Sequence, residues 1–153
     1  MAVTIKSGRE IELMREAGRI LSKVHEELEK ELRAGMTTKD IDRLGEQIIR
    51  DHGCEPSFLG YAGFPASICV SLNEVVVHGI PSDDVVIKDG DVVSLDAGVI
   101  WHGYQSDAAR TWIVGEGTPE ARKLVEDTRQ SFFEGIKKAV AGNHINDIGV
   151  AVQ

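Results

Sequence analysis

The chain has 153 residues, of which 42% are hydrophobic and 27% charged, and its formal net charge at pH 7 is −8. These values fit one ordinary globular domain or a piece of a larger one. The acidic balance weighs against a nucleic-acid-binding protein, which normally presents a basic face to the phosphates. Cys54 and Cys69 lack CxxC spacing and are too few for a disulfide framework, so we expect two free thiols.

The N-terminal segment "MAVTIKSGREIELMREAG" has no apolar core of the kind that signal peptides contain. Nowhere else do apolar residues run long enough to span a bilayer. We therefore expect a cytoplasmic protein with no membrane partner.

Two amphipathic helices are predicted at the start of the chain. Ser7 followed by Glu10 forms the pattern of a capping box, and apolar residues then recur at steps of three and four. This first helix is expected to stop near Gly35, which suits a left-handed helix end. A second capped start follows at Thr37, and its helix is expected to end at Gly53.

The middle of the chain is predicted to form loops and strands. "PSFLGYAGFPAS" is rich in Gly, Pro and aromatic residues, which favours a structured loop. "ICVSLNEVVVHGIP" is rich in β-branched residues and predicts two short strands. "DGDVVSLDAGVIWHGYQSDAARTWIVG" predicts a hairpin that turns around Trp101, His102 and Gly103.

A third helix and a sequence repeat follow the hairpin. Thr118 and Pro119 are typical of a helix start. The helix is expected to end at Gly142 and to turn five apolar side chains inward, namely Leu124, Val125, Phe132, Ile136 and Val140. "AGMTTKDI" and "AGNHINDI" each follow a long helix and open another one. Chance can produce such a match, but the shared context favours a duplicated αα-then-β unit.

The repeat predicts how the chain is organised. The first copy occupies about residues 7–116, and the second starts near Thr118 and breaks off at Gln153. Residues 1–153 are thus expected to form a single, incomplete domain. It would contain one complete half and only the first helices of the other.

Asp96 and Asp107 lie in the two arms of the predicted hairpin. If Trp101 and His102 form a two-residue loop, the aspartates lie directly opposite each other, with Cβ atoms about 4.5–5.5 Å apart. Carboxylates at that separation repel each other. One of them then keeps its proton, a neighbour such as Arg110 neutralises them, or a metal ion binds between them. Two exposed carboxylates on a solvated strand face are the plain alternative.

His78 in "VVVHGIP" is the second candidate for chemistry. Gly79 and Pro81 follow it at once, so the strand is expected to end there and His78 to project from its end. That is a usual place for a reactive group on a rigid scaffold. A hydrogen-bonded structural histidine is the common alternative.

The sequence resembles a known family. "SLNEVVVHGIP", "DGDVVSLDAG" and "GYQSDAARTWIVG" resemble the first half of a type I methionine aminopeptidase, as do "SGREIELMREAGRI" and "LGYAGFPASICVSLNE". The resemblance runs in order along essentially the whole chain. It implies an α+β, pita-bread (creatinase-like) fold, in which a pseudo-twofold relates two αα-β halves. It also implies a hydrolase that removes the initiator methionine from new polypeptides with a metal-activated water.

Site residues are implied by the matching motifs. Asp96 would bind one metal ion and Asp107 would bridge two. His78 would be catalytic, because it would hydrogen-bond the substrate at the scissile amide and help to stabilise the tetrahedral intermediate. Four further residues match positions that line the methionine pocket, namely Tyr61, Phe64, Cys69 and Phe58. Aromatic edges and soft sulfur suit a thioether, although simple core filling explains Phe58 equally well.

Cofactors and partners follow from the same resemblance. Two divalent metal ions are implied, and Co, Mn, Fe and Zn all suit oxygen and imidazole ligands. The backbone carbonyls of Asn73 and Val75 match a monovalent cation site of some members. The substrate would be the N-terminal methionine of nascent polypeptides. Transient ribosome association, no nucleic acid specificity and a monomeric state when complete are also expected.

Two departures from the family pattern stand out. Many bacterial members have His where this chain has Ala62. The family's remaining metal ligands are one His and two Glu, all downstream of the matching endpoint, and His144 does not match that His. We therefore expect this chain by itself to be inactive, since two carboxylates alone bind metal weakly.

Two other functions remain open at this stage. The first is a non-catalytic creatinase-fold module that binds peptides or proteins, but the retention of His78, Asp96 and Asp107 together weighs against it. The second is another two-metal hydrolase of the same fold, such as a proline-specific aminopeptidase. The short N-terminus weighs against the second, because those relatives usually carry an extra N-terminal domain.

Overall fold

Helices and one antiparallel sheet make up the computed structural model, which describes residues 4–153 of the chain. These residues divide into two compact units, with the boundary between Glu116 and Gly117. The elements in chain order are α1 (Gly8–Glu31), α2 (Thr38–Asp51), β1 (Glu55–Pro56), a short 3-10 turn (Tyr61–Gly63), β2 (Ile68–Leu72), β3 (Val92–Trp101), β4 (Tyr104–Ile113), α3 (Pro119–Ile136) and α4 (Ile145–Val152).

The first two helices start where the sequence predicts. The Glu10 carboxylate accepts a hydrogen bond of 2.7 Å from the Ser7 amide, and the capping box at Thr37 is also present. Helix α1 ends four residues before Gly35, because the Gly35 amide donates instead to the Ile87 carbonyl at 2.8 Å. Helix α2 likewise ends at Asp51, two residues before Gly53.

Strand β3 is the centre of the sheet. Strand β4 pairs antiparallel with its whole length, while β2 and the two-residue β1 pair with its other edge. Side chains alternate between the two faces of a strand. One face of β3 carries buried apolar residues that pack in the core with α1 and α2, namely Val93, Leu95, Ala97 and Val99. The other face carries Ser94, Asp96 and Gly98.

The hairpin register differs from the predicted one. Trp101 pairs with Tyr104, so the loop is His102–Gly103 and not Trp101–His102. Both loop residues have positive φ angles, 48° and 83°, as a type I′ hairpin turn requires. Glycine adopts a positive φ angle without strain, so Gly103 favours the second loop position. The turn is therefore centred one residue later than predicted.

Only one of the two strands predicted in "ICVSLNEVVVHGIP" forms. After β2, Asn73 has a φ of 50° and its amide donates to the Val92 carbonyl at 2.9 Å. The Val75 amide donates back to Leu72 at 2.9 Å. These bonds turn the chain, and the following residues are exposed, with Val76 at 86%. The second predicted strand is therefore wrong.

The second unit consists of helices α3 and α4. The Thr118 hydroxyl accepts from the Ala121 amide at 3.1 Å, as expected for a helix cap. Helix α3 ends at Ile136 and not at Gly142, since tighter hydrogen bonds such as Lys138 to Gly135 close its last turn. Within this unit only α4 packs against α3, so most of the side chains predicted to face inward are exposed, namely Leu124, Phe132, Ile136 and Val140. Val125 is half-buried.

The two copies of AGxxxxDI have the same local geometry. Gly35 and Gly142 have φ angles of 91° and 95°. The Thr37 amide donates to Asp40 Oδ2 at 2.9 Å, and the His144 amide donates to the Asp147 carboxylate at 2.7 Å. Duplication of a larger unit stays a prediction. Within residues 4–153, the helices lack the combination of length and apolar character that a bilayer span requires.

The hydroxyl of Tyr104 connects β4 to the start of α1. It donates to Glu10 Oε1 at 2.9 Å. The Ser7 amide, the Ser7 hydroxyl and this bond lower the pKa of Glu10 from 4.5 to about 2. Because the pKa is lowered, Glu10 stabilises the fold above pH 4.5, and this stabilisation is lost as the pH falls towards 2.

Replacing Tyr104 by Phe tests this connection. Tyr104→Phe removes one donor, so the pKa of Glu10 is expected to rise towards 4.5 and the loss of stability in acid to begin at a higher pH. Carboxyl NMR titration measures the pKa, and acid unfolding measures the stability. Tyr61→Phe, at an exposed tyrosine that Glu10 does not contact, is the control. An unchanged pKa of Glu10 in Tyr104→Phe would contradict the account.

Candidate active site

The two aspartates share one face of the sheet as diagonal neighbours. Asp96 pairs with Ala109, and Asp107 pairs with Gly98, so the predicted direct opposition is wrong. The observed register is shifted by two positions, and side-chain direction has a period of two, so both carboxylates still point to the same face. Cys69 of β2 pairs with Asp96 from the other side. The sheet thus brings together three of the residues identified from sequence.

Asp96 is an unusual carboxyl group. Burial and the adjacent Asp107 carboxylate raise its pKa to about 6, and the nearby His78 partly offsets this. Its Oδ1 atom is buried and has no hydrogen-bond partner among the described residues. A buried oxygen without a partner is costly, because it loses its hydration and receives nothing in return. Such an atom is suited to an added cation or proton.

Cys69 is held as a neutral thiol. Burial raises its pKa to about 11, and the negative charges of Asp96, Asp107 and Asp42 act in the same direction. A thiol with this pKa is neither a good nucleophile nor a thiolate ligand at neutral pH. Cys69 therefore contributes a soft, uncharged surface beside the two carboxylates.

Arg110 does not neutralise the aspartates. It pairs with Leu95, whose side chain is in the core, so it points to the face opposite Asp96 and Asp107. There its guanidinium donates to the Ser22 hydroxyl of α1 at 2.9 Å. The sequence-based suggestion for Arg110 is therefore wrong, and a proton or a metal ion is left to relieve the repulsion.

The carboxylate pair fits a divalent metal by its chemistry. Hard cations prefer oxygen ligands, and Asp96 offers a buried oxygen that has no hydrogen-bond partner within residues 4–153. The cross-strand partner of each aspartate is small, since Ala109 pairs with Asp96 and Gly98 pairs with Asp107. Within residues 4–153, no three His, Cys, Asp or Glu side chains are grouped closely enough to hold a metal ion. The described residues therefore offer two neighbouring carboxylates and no third side chain grouped with them.

His78 lies in an exposed segment and does not project from a strand end as predicted. Its backbone is left-handed, with φ at 58°. The next residue fixes it against β2, since the Gly79 amide donates to the Ser71 hydroxyl at 3.1 Å and the Val70 amide donates to the Gly79 carbonyl at 3.0 Å. A Cβ at Gly79 would lie 2.1 Å from the Val70 oxygen, so only glycine fits there. His78 is close enough to Asp96 to lower the pKa of that carboxyl group by its charge.

The predicted pocket residues lie in and after one loop, residues 57–67, which we call the aromatic loop. Phe58 lies against Gly98, because a Cβ added there would be 2.7 Å from its ring. Inside the loop, the Gly60 amide donates to Phe64 at 2.9 Å and the Tyr61 amide donates to Phe58 at 3.0 Å. Tyr61 is 73% exposed and Phe64 is half-buried. The loop therefore places Phe58 beside the strand that carries Asp96, while Tyr61 is exposed at the loop tip.

Asn73 uses its side chain within its own turn. Its Oδ1 accepts from the Val92 amide at 3.0 Å, and its Nδ2 donates to Asp91 at 3.0 Å. A cation role at Asn73 and Val75 would therefore depend on their backbone carbonyls.

Two buried polar residues near the site were missed from the sequence. His25 of α1 is fully buried, and its Nε2 donates to the Ala108 carbonyl, next to Asp107, at 2.9 Å. Asp42 of α2 is 3% exposed and accepts from backbone amides at the start of β2. The sequence did contain a signal for each, because both are polar residues next to a core residue of a predicted amphipathic helix. His25 follows Val24, and Asp42 follows Ile41.

Known proteins resemble the chain in both sequence and structure. Residues 12–153 match the model of metallopeptidase family M24. A methionine aminopeptidase of Clostridium acetobutylicum is 51% identical over 151 residues, which cover 99% of this chain and 60% of the relative. The crystal structure of methionine aminopeptidase from Rickettsia prowazekii superposes with a TM-score of 0.96 at 33% identity, over 99% of this chain and 61% of that chain.

A proline-specific relative shares the fold. The crystal structure of X-Pro aminopeptidase from Thermotoga maritima superposes with a TM-score of 0.82 at 27% identity, over 97% of this chain and 40% of that chain. The α+β, pita-bread fold class predicted from the sequence is confirmed by these structural neighbours. The chain spans about three fifths of the length of the methionine aminopeptidases that it matches. Since the family model covers residues 12–153, the chain belongs to metallopeptidase family M24.

Proposed function

We propose that the protein carrying this chain is a methionine aminopeptidase, which hydrolyses the peptide bond after the N-terminal methionine of new polypeptides. The observation that carries the proposal is the pair of Asp96 and Asp107 on one sheet face, with an Asp96 oxygen that no described residue hydrogen-bonds. The similarity to relatives that bear this name supports the choice of substrate.

Asp96 and Asp107 are the proposed metal ligands. Their oxygens suit two divalent ions of the Co, Mn, Fe or Zn type, and Asp107, the more exposed of the two, is the proposed bridge. Bound divalent metal would supply a Lewis acid for the scissile carbonyl and a water of lowered pKa. The backbone carbonyls of Asn73 and Val75 are the proposed site of one monovalent cation.

His78 is the proposed catalytic residue. Its imidazole is exposed, and Gly79 fixes the adjacent backbone against β2. From there it would donate a hydrogen bond at the scissile amide and stabilise the charge that develops in the transition state. A rigid donor is effective because it needs no reorganisation during the reaction.

The methionine side chain is proposed to bind against Tyr61, Phe64, Cys69 and Phe58. A thioether packs favourably on aromatic edges and on a neutral thiol, and the high pKa of Cys69, about 11, keeps that thiol uncharged. Ala62 leaves the tip of the aromatic loop without an imidazole. We further propose a cytoplasmic, monomeric enzyme that associates transiently with the ribosome.

Asp107→Asn tests the metal ligands. The substitution keeps the size of the side chain but removes its charge, so methionine release from Met-Ala-Ser by the protein that carries this chain, with added Mn²⁺, is expected to fall about a hundredfold or more. Calorimetric titration with Mn²⁺ should show weaker binding. Asp51→Asn, at an exposed carboxylate at the end of α2, is the matched control. It should change neither the rate of methionine release nor the affinity for Mn²⁺. Undiminished turnover in Asp107→Asn would exclude this mechanism.

His78→Ala separates catalysis from metal binding. In the protein that carries this chain, we expect kcat to fall roughly a hundredfold, the cost of losing one donor to the developing charge, while the Mn²⁺ content stays the same. His102→Ala is the matched control, because His102 is also an exposed histidine with a positive φ angle. The two substitutions thus carry a similar backbone cost. A similar loss of activity in both variants, or a loss of metal in His78→Ala, would refute the assigned role.

Residues 1–153 taken by themselves are proposed to be inactive. Within residues 4–153 the carboxylate pair has no third ligand grouped with it, and two carboxylates bind a divalent ion weakly. We expect Mn²⁺ affinity at least about tenfold below that of a form extended by the His and two Glu that the family supplies, and no methionine release. Turnover by residues 1–153 at the rate of the extended form would contradict this proposal.

A further inference from the structure

Asp42 is a buried acid for which the proposed mechanism has no use. It lies on α2 against the sheet, and 4% of its side chain is exposed. Its Oδ1 accepts from the amides of Ser67 at 2.8 Å and Ile68 at 3.2 Å, and its Oδ2 accepts from Lys39 Nζ at 2.6 Å. Burying a carboxylate is costly unless it is paired and hydrogen-bonded. Here the charge is used to hold two backbone amides.

These two amides lie at the junction where the aromatic loop ends and β2 begins. Glu46, one turn after Asp42 on the same helix, accepts from the Ser67 hydroxyl at 3.1 Å. Between them, Gly45 allows close approach, because a Cβ there would be 2.9 Å from Ile68 Cδ1. One face of α2 therefore holds the end of the loop through three hydrogen bonds and one close contact. Cys69 follows directly.

The other end of the aromatic loop is held by the sheet. The Ser57 amide donates to the Gly98 carbonyl at 3.0 Å, and β1, just before it, pairs with β3. Between the two ends the loop is exposed at its tip, where Tyr61 lies. The position of the aromatic loop relative to Asp96 and Asp107 therefore depends on its attachment to β3 at one end and, at the other end, on the bonds that Asp42 and Glu46 accept.

We propose that Asp42 is a positioning residue for the substrate pocket. By holding the Ser67 and Ile68 amides, it fixes the end of the aromatic loop relative to the carboxylate pair, and so sets the preference for an N-terminal methionine. The inference rests on the proposed aminopeptidase function. A purely structural acid would instead affect stability without changing substrate preference.

Three variants separate these roles. Asp42→Ala removes the acceptor of both amides. Lys39→Met removes only the cation beside it. In Lys39→Met/Asp42→Asn, the asparagine oxygen can accept from both amides, and no ammonium group faces its Nδ2 donors. The double variant therefore restores the anchor without the buried charge.

Kinetics with Met-Ala-Ser and Leu-Ala-Ser provide the first readout, using the protein that carries this chain. In Asp42→Ala we expect KM for Met-Ala-Ser to rise about tenfold and kcat to change less than about twofold. The ratio of kcat/KM for Met-Ala-Ser to kcat/KM for Leu-Ala-Ser should fall. The double variant should return KM to within about threefold of the starting protein. Mn²⁺ binding should be equal in all forms, because Asp96 and Asp107 are unchanged.

Hydrogen exchange provides a readout that does not depend on turnover. The amides of Ser67 and Ile68 should lose protection in Asp42→Ala and regain it in the double variant. Lost protection with unchanged KM and unchanged preference would overturn the inference. So would a parallel fall of kcat and Mn²⁺ affinity, which indicates general damage to the fold. Absence of methionine release by the unsubstituted protein would overturn the proposed function itself, and the pocket inference with it.

Discussion

The antiparallel pairing of β3 with β4 is the constraint on which the candidate site depends. Alternation along β3 places Val93, Leu95, Ala97 and Val99 in the core and leaves the opposite face for Asp96. A slip of one residue would move an entire apolar set from core to solvent, so burial specifies the register strongly. The energy of the core thus fixes two carboxylates side by side, although their mutual repulsion opposes that arrangement.

Hydrogen bonds from side-chain oxygens to backbone amides then hold two loops in place on the elements that surround Asp96 and Asp107. Gly79 holds the segment of His78 on β2, and Asp42 holds the end of the aromatic loop on α2. Each attachment uses a side-chain oxygen to accept from a backbone amide, which orders a loop without enlarging the core. Functional residues are commonly carried on loops that a rigid scaffold positions. In this chain the sheet and α2 are the scaffold for both loops.

The sequence predicted the fold better than it predicted the details of the site. Caps at Ser7, Thr37 and Thr118 located three helix starts, because capping is a local interaction. The helix ends were less predictable, since a distant carbonyl at Ile87 captures the amide of Gly35. The hairpin turn was placed one residue too early. The shared face of the aspartates was still correct, because the register differed by two positions.

The remaining errors have tertiary causes. Arg110 is close to the aspartates in sequence, but the alternation of β4 places it on the opposite face. The strand predicted before His78 does not form, because Asn73 turns the chain away. The role of Asp42 was not predicted, because the amides that it holds, those of Ser67 and Ile68, are about 25 residues away along the chain.

The central claim is that Asp96 and Asp107 form part of a divalent metal site. Anomalous diffraction from crystals of the protein that carries this chain, grown with Mn²⁺, tests it most directly. We expect an anomalous peak about 2.0–2.6 Å from oxygens of both carboxylates, the range seen for hard cations bound to protein oxygens. Full Mn²⁺ occupancy elsewhere, with no peak between these two side chains, would contradict the account.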